Sequence, residues 1–130
     1  MKKLLLVLIT SVFALTACAA AGGSVTTLNV PDFSKKLSEK SVVLLDVRTP
    51  AEFAAGHILG ATNIDFESGN FAKDITRFDK SKSYAVYCRS GNRLGQATSL
   101  MAKDGFTSVF NLNGGIIDWQ GAGNKVVNNG

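Results

Sequence analysis

The sequence predicts a single α/β domain in which helices cover both faces of a mostly parallel central sheet. Two continuous apolar runs, at residues 42–45 and 84–87, are typical of strands buried on both faces. Helix-like segments alternate with the strand-like ones, which implies right-handed crossover connections. The length of 130 residues suffices for one hydrophobic core but not for a second domain.

The chain begins with the features of an export signal. Lys2 and Lys3 precede an apolar run at residues 4–15, which is too short to span a bilayer. The run closes in Leu-Thr-Ala-Cys, which resembles the lipobox of bacterial lipoproteins and implies that Cys18 is lipidated and becomes the new N-terminus. The alternative is ordinary signal-peptidase cleavage near residues 17–21, which would leave a soluble periplasmic or secreted protein.

These features divide the chain into four parts. We expect a signal peptide at 1–17, a lipidated N-terminus and flexible tether at 18–25, a folded domain at 26–122 and a frayed polar tail at 123–130. The predicted protein is exported and anchored to a membrane, with its domain facing the periplasm or the cell exterior.

The first half of the domain is predicted as strand, helix, strand, helix. A strand is expected at 28–30, and Pro31 suits the first turn of a helix that runs toward Glu39. The apolar strand at 42–45 follows. Residues 49–52, Thr-Pro-Ala-Glu, then have the form of a helix capping box.

The second half continues the alternation. Gly56 is expected to end the capped helix, and a brief strand at 62–64 and a weak helix at 71–78 follow. After the strand at 84–87, apolar residues at helical spacing lead to a stop at Gly105. The last elements are a strand at 109–112, an Asn-Gly-Gly turn and a short helix at 116–119.

The charge balance gives no sign of a nucleic-acid partner. The formal charge of +4 includes Lys2 and Lys3, and without them 12 basic residues face 10 acidic ones. No basic stripe is interleaved with aromatic residues. We therefore expect no nucleic-acid binding.

The main candidate for chemistry is Cys88, which follows the strand at 84–87 and precedes a tight polar loop and a helix. A cysteine at the mouth of a helix meets unpaired backbone N–H groups and the positive end of the helix dipole. Arg89 and Arg93 lie beside it in sequence. Together these features favour a thiolate over a thiol.

The cysteine count supports a reactive thiol. Lipidation of Cys18 would use one of only two sulfurs and leave Cys88 without an intramolecular partner. An exported protein normally pairs its cysteines, so the remaining one indicates a reactive thiol or an intermolecular disulfide. A buried, inert cysteine is the alternative, which the polar loop after Cys88 does not favour.

Four segments resemble the single-domain rhodanese family in order and spacing. They are residues 46–53 (DVRTPAEF), 56–64 (GHILGATNI), 87–93 (YCRSGNR) and 112–115 (LNGG) with Trp119. The resemblance covers essentially everything after the tether. It implies a rhodanese-like α/β fold and a sulfurtransferase that carries sulfur as a persulfide on Cys88.

The resemblance also implies the substrates and the binding loop. The donor would be thiosulfate or a similar anion, and the acceptor cyanide or a thiol, with no metal and no cofactor. Backbone N–H groups of the loop and the charge of an arginine would hold the donor. The loop consists of Arg89, Ser90, Gly91, Asn92 and Arg93.

Other functions remain open at this stage. A persulfide carrier, sensor or docking module at the envelope would need the same Cys88 chemistry. Related phosphatases have a longer loop with an arginine six residues after the cysteine, where this chain has Leu94, so phosphatase or arsenate-reductase chemistry is a minor alternative. Disulfide exchange would lack a resolving cysteine nearby.

Four further polar or aromatic side chains have structural interpretations. His57, the only histidine, invites a role as a base, but a thiolate held by amides needs none, so we favour a structural role. Asp46 and Arg48 fall at the end of a strand, where they either support the site or act as scaffold, with Arg48 close enough in sequence to pair with Glu52. Trp119 is most simply part of the core.

Overall fold

The fold is built on a five-stranded sheet whose paired strands are all parallel. The computed structural model describes residues 23–128. The predicted signal peptide, Cys18 and most of the tether lie outside the described residues. The strands are β1 (Ser24–Leu28), β2 (Val42–Asp46), β3 (Thr62–Asn63), β4 (Ser83–Tyr87) and β5 (Ser108–Leu112). Their order across the sheet is β1-β5-β4-β2-β3.

Helices connect the strands in the manner of crossover units. Short 3-10 turns lie at Phe66–Ser68 and Ile75–Arg77. The helices are α1 (Val30–Leu37), α2 (Pro50–Ala55), α3 (Phe71–Asp74), α4 (Asn92–Lys103) and α5 (Gly115–Gly121).

Two separate apolar clusters cover the two faces of the sheet. On one face, Phe71 of α3 and Met101 of α4 pack on strand residues such as Leu45. On the other, Phe33 of α1 and Trp119 of α5 meet edge to face with ring centroids 6.3 Å apart. This arrangement confirms the predicted α/β class, a mostly parallel sheet flanked on both faces by helices.

Local capping explains where the first helices begin. Asn29 precedes α1, and its side-chain oxygen accepts the backbone N–H of Asp32 at 2.9 Å. The capping box predicted at residues 49–52 is present: Thr49 accepts the Glu52 N–H, and the Glu52 carboxylate accepts the Thr49 N–H.

Three predictions about the elements need correction. The first strand begins at Ser24, inside the expected tether, and Val30 belongs to α1 instead. The predicted position, 28–30, was too late in the chain because β1 is an edge strand with mostly exposed residues and so has no apolar run to mark its start. The weak helix at 71–78 is a short α-helix followed by a 3-10 turn.

The expectation of a frayed tail is wrong for residues 124–127. Val127 and His57 exchange both backbone hydrogen bonds, each 2.8 Å long, and the indole nitrogen of Trp119 donates to the Lys125 carbonyl at 3.1 Å. These contacts use main-chain groups, so the polar side chains of the segment gave no sign of them.

Within residues 23–128, none of the helices has both the length and the apolar character that crossing a membrane requires.

Candidate active site

The Cys88 side chain lies at the carboxyl end of β4, inside the domain. It has 0% of its surface exposed and packs in the same cluster as Leu94 and Ala97 of α4. Cys88 is the one cysteine among the described residues, and it is free there. The sulfur is therefore buried, so the expectation that the polar loop would keep Cys88 out of the core is wrong.

One backbone amide of the loop is directed at this sulfur. The Gly91 N–H donates to Cys88 Sγ over 2.8 Å. Gly91 has a φ of +107°, a conformation that glycine adopts at little cost, and α4 begins directly after it at Asn92. The sequence predicted that several amides from residue 89 to 93 converge, and Gly91 is the donor that makes a hydrogen bond with the sulfur.

The first residues of α5 bind the backbone of the Cys88 loop. The N–H groups of Ile116 and Ile117 donate to the carbonyl oxygens of Cys88 and Arg89 at 3.0 and 3.2 Å. Gly115 permits this approach, because a Cβ at that position would lie 2.4 Å from the Arg89 oxygen. Its φ of +63° also favours glycine.

Sequence reasoning treated Gly115 only as part of a turn. The signal that could have identified its role is the pair Gly114-Gly115, since two adjacent glycines after a strand often mark a close approach of two backbone segments. Both have positive φ, +74° and +63°.

The two arginines of the loop have different surroundings. Arg89 and its neighbour Ser90 are exposed. Arg93 instead forms a two-pronged ion pair with Glu52 of α2, with both N–O distances 2.8 Å, and lies 3.5 Å from Glu67. The hydrogen bond to Glu52 raises the pKa of Arg93 against the effect of burial, and the negative charges of Glu52 and Glu67 add to the rise.

Glu52 is a polar residue beside the Cys88 loop that the sequence analysis placed in a helix cap and as a possible partner of Arg48, not of Arg93. It accepts from both terminal nitrogens of Arg93 and from the backbone N–H of Thr49. Hydrogen bonding by Arg93, against the opposing effect of burial, lowers the pKa of Glu52 to about 2. Glu52 therefore connects the start of α2 to the first turn of α4, next to the Cys88 loop.

Asp46 and Arg48 form a buried ion pair beside the end of β4. Asp46 is 0% and Arg48 5% exposed, and the shortest N–O distance between them is 2.6 Å. The same guanidinium nitrogen donates to the Gly56 carbonyl at 2.7 Å. Burial lowers the pKa of Arg48, but hydrogen bonding to Asp46 and its charge outweigh this and raise it.

This geometry settles which carboxylate Arg48 binds. The suggested pair between Arg48 and Glu52 does not form, because Arg48 is turned inward to Asp46 while Glu52 reaches Arg93. Asn63 donates to the carbonyl oxygens of Asp46 and Arg48 at 3.0 and 2.8 Å, which fixes the backbone after β2. Asp46 and Arg48 thus act as scaffold in this structure.

His57 is part of the framework as well. Its ring stacks on Phe53 with centroids 3.7 Å apart, and its Nδ1 lies 2.8 Å from the Phe53 carbonyl oxygen, which requires a proton on that nitrogen. Its backbone carries the bridge to Val127. The structural interpretation of His57 fits these contacts.

Cavity size alone does not locate the site. A cavity of about 230 Å³ between α3 and α4 contains none of the candidate residues. A second, of about 220 Å³, lies beside the loop and is lined by Gly91, Leu94 and Asn111 among others. In residues 23–128 no three His, Cys, Asp or Glu side chains come together as a metal site would require.

We expect Glu52→Gln to lower the free energy of unfolding by about 1 to 2 kcal/mol at pH 7, since it removes a partly exposed charge pair. The folded-state pKa is about 2, below the ordinary value of 4.5, so the stabilisation is complete above pH 4.5 and is lost as the pH falls toward 2. Urea unfolding of both proteins between pH 7 and pH 3 measures the difference.

The control for this comparison is Glu39→Gln, which alters the surface ion pair between Lys36 of α1 and Glu39 just after the helix and should cost less than about 0.5 kcal/mol. A loss in Glu52→Gln that stays constant down to pH 3 would show that the ion pair with Arg93 does not supply the stabilisation.

Comparison with known proteins places this site in a family. The model of the "Rhodanese-like domain" matches residues 29–122. A protein of Bacillus subtilis described as uncharacterized is 42% identical over 78 residues, which are 60% of this chain and 60% of that protein. A "Sulfurtransferase" of Allochromatium vinosum is 34% identical over 104 residues, which cover 79% of this chain and 95% of the relative.

Two further matches agree with these. The "Thiosulfate sulfurtransferase GlpE" of Pseudomonas fluorescens is 33% identical over 90 residues, which are 69% of this chain and 81% of that protein. The crystal structure of a rhodanese-related protein from Thermoplasma volcanium superposes with a TM-score of 0.71 at 29% identity, covering 80% of this chain and 99% of that one. The sequence prediction is confirmed: this chain belongs to the rhodanese-like family and has sulfurtransferases among its relatives.

Proposed function

We propose that this protein is an extracytoplasmic sulfurtransferase that moves a sulfane sulfur from thiosulfate or a similar donor to cyanide or a thiol through a persulfide on Cys88. The observation that carries the proposal is the Gly91 N–H donating to Cys88 Sγ within a loop clamped by α5. A donor in that position stabilises negative charge on sulfur, whether on the thiolate or on the persulfide.

The first half-reaction is a displacement at sulfur. The Cys88 thiolate attacks the outer sulfur of thiosulfate, and the S–S bond of the donor breaks. Sulfite leaves with the electron pair, and the enzyme carries a persulfide anion. In the second half-reaction cyanide or a thiolate attacks the outer persulfide sulfur and regenerates the Cys88 thiolate.

The contacts of the two arginines favour Arg89 as the residue that meets the donor. Arg93 is held by Glu52 at 2.8 Å on both prongs, whereas Arg89 is exposed and no ion pair holds it among the described residues. Because Cys88 is 0% exposed, the outer part of the loop has to move aside when thiosulfate enters. Arg89 and Ser90 form that outer part.

Phosphatase chemistry is less well supported by the same loop. Leu94 stands six residues after Cys88, is 3% exposed and packs in the core with Ala97 and Met101. A guanidinium at that position, which a phosphate ester would need, is absent from this loop.

A persulfide carrier or sensor is the second candidate, and the buried sulfur favours it in one respect. A persulfide shielded from water survives until a partner removes it, and a carrier needs this more than an enzyme that turns over rapidly. The number of cycles distinguishes the two: repeated turnover with thiosulfate and cyanide indicates an enzyme, and a single loading indicates a carrier.

The export and lipid anchoring of the protein belong to the same proposal. They rest on the basic and apolar character of residues 1–17 and on Cys18 at the end of the lipobox-like segment. Cleavage without lipidation, giving a soluble periplasmic protein, is the alternative.

We expect one added sulfur atom on Cys88 when the reduced protein is mixed with thiosulfate, because the thiolate displaces sulfite. Intact-mass measurement before and after addition of cyanide shows the gain and its loss as thiocyanate forms. Cys88→Ser is the control and should gain nothing. An unmodified mass in the wild type, with the thiol shown to be free beforehand, would contradict the proposal.

Gly115→Ala should lower kcat/KM for thiosulfate by roughly tenfold or more, because a Cβ there would overlap the Arg89 carbonyl and displace the loop. Gly121→Ala on the same helix is the matched control, since a Cβ there meets nothing within 4 Å. Equal activities of the two variants would show that the contact between α5 and the loop does not determine the active conformation of the loop.

Cys18→Ser should abolish acylation and release the exported protein from the membrane fraction. Expression of the full chain in a bacterium with labelled fatty acid, followed by fractionation, measures both effects. If the wild type takes up no label and is found in the soluble periplasmic fraction, cleavage without lipidation is the correct alternative.

A further inference from the structure

Residues 124–127, named here the C-terminal strap, connect α5 to the segment that follows α2. The matched family model ends at residue 122, so the strap lies outside the region that the family model describes. The strap contacts α5 through Asn124 and Lys125, and it contacts Gly56 and His57, which follow α2, through Val126 and Val127.

The strap is attached to α5 through Trp119. The Asn124 N–H donates to the Trp119 carbonyl at 3.2 Å, and the Trp119 indole N–H donates to the Lys125 carbonyl at 3.1 Å. Trp119 is only 7% exposed and packs against Phe33. Trp119 lies four positions after Gly115 on α5, so this attachment acts on the same short helix that clamps the loop.

The second attachment of the strap is to His57. Val127 and His57 exchange two backbone hydrogen bonds of 2.8 Å, the only bridge in residues 23–128 that lies outside the main sheet. Val126 packs over Gly56, where an added Cβ would lie 3.3 Å from its Cγ2. Gly56 in turn accepts a hydrogen bond from Arg48, whose partner Asp46 ends β2.

We propose that the C-terminal strap is a positioning element for the Cys88 loop: by joining α5 to the segment after α2, it fixes the Ile116 and Ile117 amides on the Cys88 and Arg89 carbonyls. This inference rests on the proposed function for its kinetic consequence. The structural claim, that the strap holds α5 and that α5 in turn holds the backbone of the loop, depends only on the observed hydrogen bonds.

The test compares Val127→Pro with Val127→Ala in the full chain. Proline removes the N–H that donates to His57, whereas alanine keeps both backbone bonds and removes only side-chain contacts. At a temperature well below the unfolding midpoint of both variants, Val127→Pro should lower kcat for thiosulfate and cyanide by about fivefold to tenfold, and Val127→Ala by less than about twofold.

A second readout does not depend on turnover. Two measurements report directly on the conformation of the loop. They are the hydrogen-exchange rates of the Ile116 and Gly91 amides and the rate of Cys88 alkylation by iodoacetamide. We expect exchange at both amides and alkylation to be faster in Val127→Pro than in Val127→Ala. Trp119→Phe, which keeps an aromatic ring but loses the donor to Lys125, should change both in the same direction by a smaller amount.

The outcomes separate this inference from the proposed function. If Val127→Pro leaves kcat, amide exchange and alkylation equal to those of Val127→Ala while losing the His57 bridge, the strap only stabilises the fold and the inference is wrong. If the wild type shows no turnover and no persulfide, the proposed function fails. Altered exchange and alkylation in Val127→Pro would then still support the positioning role.

Discussion

The contact on which the site most depends is the pair of hydrogen bonds from the start of α5 to the carbonyl oxygens of Cys88 and Arg89. In a planar trans peptide the N–H points away from the C=O, so holding the Cys88 and Arg89 oxygens also fixes the direction of the N–H groups of Arg89 and Ser90. It can form only because Gly115 lets two backbones approach within the space that a Cβ would fill. The sheet supplies the rigid platform, since Cys88 follows a central strand.

Two ion pairs lie near the loop, and they have different roles. The Asp46–Arg48 pair is buried and saturated with hydrogen bonds, so it organises the backbone after β2 rather than contacting a substrate. The Glu52–Arg93 pair is partly exposed and lies against the first turn of α4, where it neutralises a cation next to the sulfur. Arg89 is exposed, and within residues 23–128 it has no ion-pair partner, so it is the loop cation whose charge is not neutralised.

Much of the fold could be predicted because its signals are local. The apolar runs of β2 and β4 and the capping box at Thr49 and Glu52 depend only on neighbouring residues, and all three are confirmed. The partners of Arg48 and Arg93 could not be predicted, because Arg93 and Glu52 are 41 residues apart and proximity in sequence favoured the wrong pair. The bridge between Val127 and His57 gave no sequence signal, because it is made by main-chain groups that every residue carries.

The parallel arrangement of the strands has a consequence for how the domain would sit on a lipid surface. β1 enters the sheet at Ser24, at the edge where strands begin, whereas the Cys88 loop lies at the edge where strands end, about 16 Å further along a five-residue strand. Under the proposal that Cys18 carries an acyl group, the lipid is attached six residues before β1, and the Cys88 loop lies at the opposite end of the sheet. The sulfur donor and acceptor would then reach the loop from the end of the domain that carries no lipid.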